Sequence, residues 1–330
     1  MKAVVIRRTG GPDVLEVVDL PMPVPGRGEV LVRAIAIGAG WPDILIRTGK
    51  YKWMPPLPAS PGSDMAGEIA ALGPGVDSFS VGDKVLITAR ELTQRGGCYA
   101  EYLVVPEAAP FRLSPDADLR AAACLPNYQV AWAMLQESVG PRKPSSIFIA
   151  GAAGGVGSAV VQLARHLGMT VIGSISSPAK ETFARAQGVE VAIDYKCENV
   201  LERVLEITEG RGVDLVFDHV GGSGLADRLK MLAPWGTVVS FNAASGLPPS
   251  DIFAEMRALL PKSPTLRCFS MHSYDKEPVR RRKLMDDVIG FLEAGAIKPA
   301  VGLVLPLASA AEAHMAIERG DVLGKVLLVP

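Results

Sequence analysis

Cysteine is scarce in this chain: Cys98, Cys124, Cys197 and Cys268 are the only four in 330 residues, and no two stand as a CxxC pair. Such spacing excludes a disulfide framework, and each thiol is expected to be free and packed as a small buried side chain. Histidine is as rare, and His166, His219, His272 and His314 lie too far apart in sequence to suggest a metal ligand set. Excess charge is absent too, because 34 Lys and Arg face 35 Asp and Glu. That balance gives no electrostatic reason to bind nucleic acid or an anionic membrane surface, and the basic run Arg280, Arg281, Arg282, Lys283 reads as a solvated helix face. No uncharged apolar run reaches the roughly 18 residues of a membrane span, so a cytoplasmic chain without membrane insertion is expected. No GxSxG elbow for a serine hydrolase occurs. A small molecule is the expected partner.

What is present is length and alternation. A chain of 330 residues exceeds what one core usually organises, which predicts two domains. Stretches such as "KAVVIRR", "GEVLVRAIAIG", "DMAGEIAALG" and "GDKVLI", punctuated by "VPGRG" and "GPGVD", predict an antiparallel, barrel-like unit in the first third. After "SPD" at 114–116, a candidate helix cap, the period turns helical. From Ser145 apolar strands alternate with amphipathic helices, which predicts a doubly wound parallel sheet. Beyond Pro264 the order changes again, to "LRCFSMH", a basic helix and a closing "GKVLLVP" that is expected to return to the first domain.

The first β/α turn carries GxxGxxG as Gly151, Gly154 and Gly157, at the end of a predicted strand and the start of a predicted helix. Small residues there let backbone N–H groups and the positive helix end approach a pyrophosphate. The second strand ends in "SISSPAK", where an NAD-binding domain places a carboxylate for the ribose hydroxyls. Ser174, Ser176, Ser177 and Lys180 instead offer hydroxyls and an ammonium to a 2′-phosphate, so NADPH is favoured over NADH. Ser177 also suits a helix cap with Pro178 at the first helical position.

"PGSDMAGEIAALGPGVDSFSVGDKV", "GGCYAEYLVV", "LPNYQVAWAML", "GAAGGVGSAVVQLARHLG" and "FDHVGG" resemble, in order and spacing, the zinc-free quinone oxidoreductases of the medium-chain dehydrogenase/reductase superfamily. The resemblance implies an α/β chain with a GroES-like catalytic domain from residues 1–124 and 265–330, and an inserted Rossmann domain over 125–264. It implies hydride transfer from NADPH to a quinone or an α,β-unsaturated carbonyl. Alternatives from the same stock are an enoyl-thioester reductase and an NADPH-binding protein without catalysis. Cofactor ligands carried over by position are Gly151, Ala153, Gly154, Gly155, Val156 and Gly157, then Ser176, Lys180 and Tyr195 around the adenosine phosphate. His219, Phe241, Asn242, Val130, Tyr128 and Lys325 follow along the cofactor. Tyr51 is a candidate proton donor or a cleft aromatic, and Trp41, Tyr51 and Tyr128 are candidate substrate contacts.

Where zinc-dependent relatives place a Cys this chain has "IGAGWPD", where they place His-Glu after a glycine it has Gly62, Ser63 and Asp64, and their four-cysteine lobe is reduced to Cys98. No metal is therefore expected. The chain departs from the family at Gly40, where many members carry Asn, and at Val130, where many carry Thr. Asp43 reads as a strand-to-helix cap. A homodimer is implied by the family, with the edge strand of the parallel sheet as the surface that could pair with a twin.

Overall fold

In the computed structural model, which describes residues 1–138 and 142–330, the punctuated N-terminal third forms seven strands. These are β1 (Lys2–Val5), β2 (Glu16–Asp19), β3 (Glu29–Ala39), β4 (Asp64–Leu72), β5 (Lys84–Thr88), β6 (Tyr102–Pro106) and β7 (Phe111–Arg112), with helix α1 (Trp41–Arg47) after β3. β3 is the longest and pairs antiparallel with both β4 and β6. Val30, Val32, Ala34, Ile37 and Ala39 on β3 enter one core with Met65, Ile69, Val85 and Ile87. The helix expected after residues 114–116 starts later. α2 (Leu119–Ala122) is capped by Asp118, whose side chain accepts from the Arg120 and Ala121 N–H groups, because only Asp118 stands close enough to reach those donors. α3 (Leu125–Ser138) follows.

The alternating part then runs β8 (Ser146–Ile149), α4 (Gly155–His166), β9 (Thr170–Ile175), α5 (Pro178–Gln187), β10 (Val191–Asp194), α6 (Val200–Ile207), β11 (Val213–Asp218), α7 (Leu225–Lys230), β12 (Leu232–Ser240), α8 (Ile252–Ala258) and β13 (Thr265–Cys268). Its six-stranded sheet is parallel throughout, in the order β10-β9-β8-β11-β12-β13. Strands such as Ser146–Ile149 and Val213–Asp218 are buried along almost their whole length, as a sheet covered on both faces requires. The strand order reverses between β8 and β11, and in such sheets ligands bind outside the carboxyl ends of the strands at that reversal.

α9 (Pro278–Glu293) leads to β14 (Val301–Pro306), α10 (Ala310–Arg319) and β15 (Lys325–Val329). β15 pairs antiparallel with β3, placing Leu327 opposite Gly38, so the tail does return to the first sheet. The chain divides into Met1–Pro126 with Met285–Pro330 and, separately, Asn127–Leu284. These limits differ from 125 and 265 because β13 does not leave with the tail. It hydrogen-bonds along β12, Thr265 opposite Thr237, and completes the parallel sheet at its free edge. The basic face expected over 280–283 is likewise interrupted, since Arg281 is buried against the Tyr274 carbonyl and Asp275. Among the described residues no helix is long and apolar enough to cross a membrane.

Candidate functional site

At the carboxyl end of β8 the chain turns through Gly151 at φ +67°. A Cβ there would lie 2.5 Å from the His219 ring, and one at Gly157 would drive into the Gly151 carbonyl oxygen. Glycine is therefore obligatory at both positions, because backbone meets side chain and backbone meets backbone with no space for a substituent. Gly154 caps α4 without a side chain. The N–H groups at the start of α4, among Gly155, Val156 and Gly157, thus meet no capping side chain and, with the helix dipole, suit an anion. Ala153 is buried beside them. Ser158 turns its hydroxyl to the Gly155 carbonyl at 3.2 Å. Ser174 is turned inward too: its Oγ accepts the Gly151 N–H at 3.2 Å, so it props the glycine turn and does not face outward.

The end of β9 is built differently. Ser177 caps α5, its Oγ accepting the Lys180 N–H at 3.3 Å, and Pro178 occupies the first turn. The Lys180 ammonium reaches back to donate to Ser176 Oγ at 3.0 Å. Tyr195 follows β10 with its N–H on the Ile175 carbonyl at 3.2 Å, and its side chain is exposed. An ammonium and a hydroxyl therefore meet at the end of β9, with no carboxylate from "SISSPAK" among them, and Tyr195 is tied by its backbone to the same strand end. His219 follows β11, and its ring lies 5.9 Å from that of Phe241, just after β12. Burial holds the His219 imidazole below its ordinary pKa, against the pull of Asp218, and so keeps it neutral. Asn242, exposed, turns its side-chain oxygen to the Ala243 N–H at 2.9 Å. Tyr128 and Val130 stand on α3, the first buried and the second half-buried.

The other candidates belong to the first unit. Trp41 opens α1 and is 38% exposed. Tyr51 and Trp53 meet with ring centroids 5.8 Å apart, and Tyr51 borders a recess shared with Pro42, Ser63, Thr88 and Arg95. Lys325 is buried on β15, its ammonium 3.2 Å from Asp64 Oδ2. The place a side chain at Gly40 would take lies 3.6 Å from that ammonium. Asp43 caps α1 as read from sequence, Oδ2 accepting the Gly40 N–H at 2.8 Å. Its Oδ1 also accepts from Ser63 Oγ at 2.8 Å and the Gly62 N–H at 3.2 Å. Sequence reasoning missed this grouping. The sequence offers Asp43, Asp64 and Lys325 only singly, and the pairing of β15 with β3 and of β3 with β4 brings them together.

Two of the four thiols also differ from expectation. Cys98 and Cys124 are buried, and desolvation pushes the Cys124 thiol up to about 12, whereas Cys197 and Cys268 are exposed. All four are free. Among the described residues no three His, Cys, Asp or Glu side chains are placed to hold a metal ion.

Residues 26–115 match the family described as alcohol dehydrogenase GroES-like domain, and residues 155–286 match zinc-binding dehydrogenase. A quinone oxidoreductase of Pseudomonas aeruginosa is 36% identical over 325 residues, covering 97% of each chain. A mycobacterial protein whose structure was solved in complex with NADPH shares 33% identity with a TM-score of 0.86, covering 100% of both chains. The Escherichia coli quinone oxidoreductase, also solved with NADPH, shares 28% identity with a TM-score of 0.86 over 100% of both chains.

Proposed function

Because the chain belongs to the zinc-independent, quinone-oxidoreductase-like branch of the medium-chain dehydrogenase/reductase superfamily, we propose that it reduces quinones or α,β-unsaturated carbonyls with hydride from NADPH, through the residues described above. The observation that carries this reading is the pairing of Ser176 with Lys180 at the end of the second strand, with Tyr195 tied to that strand end by its backbone, beside a turn whose Gly151 and Gly157 leave no room for a side chain. When bound, NADPH supplies the hydride.

The chain's own residues do the rest. Backbone N–H groups at the start of α4 receive the pyrophosphate. Lys180, with Ser176 and Tyr195, receives the 2′-phosphate by charge-assisted hydrogen bonds. His219, held neutral, and Phe241 place two rings, tilted 34° to one another, beside the reversal of the strand order. Tyr51 and Trp53 give the first unit an aromatic surface for a planar acceptor. Positioning and hydrogen-bond donors, without a metal, are enough to accelerate addition to an activated double bond.

The test follows absorbance of the reduced nicotinamide with a quinone panel and an enone panel, in the presence of a chelator. NADPH is expected to exceed NADH by about 100-fold in kcat/KM, since a lost charge-assisted contact set is worth about 1.5–3 kcal/mol. Equal use of NADH would overturn the assignment of Lys180. Turnover confined to acyl thioesters would move the chain to the enoyl-thioester reductases, and tight NADPH binding with no turnover to a binding role. We also propose a homodimer, supported by the free edge of β13 in the parallel sheet; sedimentation at micromolar concentration checks it.

A further inference from the structure

Addition of hydride to the β-carbon of an enone leaves an enolate, whose α-carbon must still receive a proton. Addition to a quinone leaves charge on oxygen, which water protonates without help. Resting on the function proposed above, we propose that Asp43 stores the missing proton and passes it through the Ser63 hydroxyl into the recess beside Tyr51. This suits acceptors that need protonation at carbon, the α,β-unsaturated carbonyls, presented at the mouth of the recess, which itself has room for about one water molecule.

The geometry forms a continuous path. Asp43 is 1% exposed, and the 2.8 Å contact between its Oδ1 and Ser63 Oγ serves both protonation states. With Asp43 ionised, Ser63 donates to the carboxylate. With Asp43 protonated, the carboxyl donates to Ser63 Oγ and the hydroxyl hydrogen is turned outward. Ser63 is half-buried and borders the recess together with Tyr51. In the transfer, the Asp43 O–H bond breaks as a new O–H forms on Ser63, and Ser63 gives up its own hydrogen. The electron pair of the enolate carbon–carbon double bond forms the new C–H bond while the C=O is restored. Asp43 ends as a carboxylate and regains its proton from water after product leaves.

The surroundings explain why a proton would be held there. The groups that face Asp43 are Asp64 on β4, Lys325 on β15, and Cys98 and Tyr99 ahead of β6. Burial, first, and the charges of Asp43 and Asp64 push the Cys98 thiol and the Tyr99 phenol far up, so both stay neutral; the Tyr99 hydroxyl lies 3.0 Å from His314 Nε2 and is also within hydrogen-bonding reach of Asp43. Two carboxyls therefore share one ammonium, with the Asp64 and Lys325 side chains only 7% and 6% exposed and Asp64 Oδ1 lacking a hydrogen-bond partner. If both carboxyls ionised, one negative charge would stay uncompensated in a dry interior, and a proton on one of them removes that cost. Consistently, Asp43 is pushed up to about 6, first by burial and then by the charge of Asp64, against the lowering effects of Ser63, Lys325 and the Gly40 N–H.

The experiment compares Ser63→Ala and Ser63→Thr with the unmodified protein on one enone and one quinone, because Asp43→Asn also disturbs the α1 cap. Loss of a relayed general acid should lower the enone kcat of Ser63→Ala by about 30-fold or more, with KM changed by less than about 3-fold and the quinone kcat lowered far less. Ser63→Thr, which keeps the hydroxyl, should recover most of the enone rate. Independently of turnover, the carbon-13 signal of the Asp43 carboxyl should titrate near pH 6 and move lower in Asp64→Asn, which removes a charge that raises it. Equal losses on both acceptors, no loss on the enone, or a carboxyl titrating in the ordinary range each overturn the relay while leaving the reductase reading intact. An unmodified protein that oxidises NADPH with neither acceptor overturns both, and that failure is seen before any variant is made.

Discussion

The carboxyl edge of the parallel sheet and the buried polar cluster of the first unit both hold charged groups, yet they are assembled on different scales. At the sheet edge the glycine turn and the serine–lysine group are each aimed by their own turn: Gly151 opens the loop ahead of α4, and Ser176, Ser177 and Lys180 share one helix start. In the cluster, Asp43 and Ser63 are 20 residues apart and Lys325 and Asp64 are 261 apart. Local chemistry builds the first, and strand pairing builds the second. The sheet edge should therefore tolerate loss of single side chains, each costing binding, whereas the cluster should respond to such losses in stability.

The sharpest way to break that contrast is Lys325→Met. It leaves Asp64 buried without its ammonium, and removing one partner of a buried pair costs about 3–5 kcal/mol. Urea denaturation should show that loss, and Asp64→Asn in the same chain should recover most of it by removing the stranded charge. A loss below about 1 kcal/mol would mean that water reaches Asp64 and that the cluster is not dry.

Next in size is a pH effect. Asp43 titrates at about 6 in the folded chain against 3.8 for an ordinary carboxyl. The folded state therefore binds more protons than the unfolded one between these values. The contribution of Asp43 is present in full below the lower value and is lost as pH rises through the upper one, by about 3 kcal/mol in all. His314, pushed down to about 3 by burial and by Arg47, has the opposite slope, so the total curve hides both. The difference between the unmodified chain and Asp43→Asn isolates the first: the gap in unfolding free energy should change by about 2.4 kcal/mol from pH 4 to pH 7. A gap independent of pH would show that Asp43 is ionised throughout.

At the sheet edge the expected effect falls on cofactor choice. Lys180→Ala should lower kcat/KM for NADPH by about 10- to 100-fold, the size of one charge-assisted contact, and change that for NADH little. A similar fall for both would place Lys180 away from the phosphate that distinguishes them.

The same division of scale explains what could be read from the residues alone. The glycine turn, the Ser177 cap, the strand–helix alternation and the return of the tail each follow from a short window, and each is found where the sequence pointed. The end of the second unit did not, because whether Thr265–Cys268 joins β12 depends on an edge left open by strands far back in the chain. Nor could any window around Asp43 reveal a second carboxyl and an ammonium brought in by β4 and β15. Exposure of Cys197 and Cys268 was equally hidden, since a residue type's average burial says nothing about one surface turn.

The smallest effect gives the finest separation, because two adjacent serines have different duties. Ser177 Oγ accepts the Lys180 N–H, while Ser176 Oγ accepts from the Lys180 ammonium. Ser177→Ala removes a helix cap and should cost about 1 kcal/mol of stability, its larger effect by far. Ser176→Ala removes a side chain that no helix needs, so its larger effect should be a rise of a few-fold in the KM for NADPH, with the unfolding midpoint shifted less than in Ser177→Ala. If the two variants behave alike, then capping and phosphate recognition at this strand end are one function shared by both hydroxyls, and the local edge is as cooperative as the buried cluster.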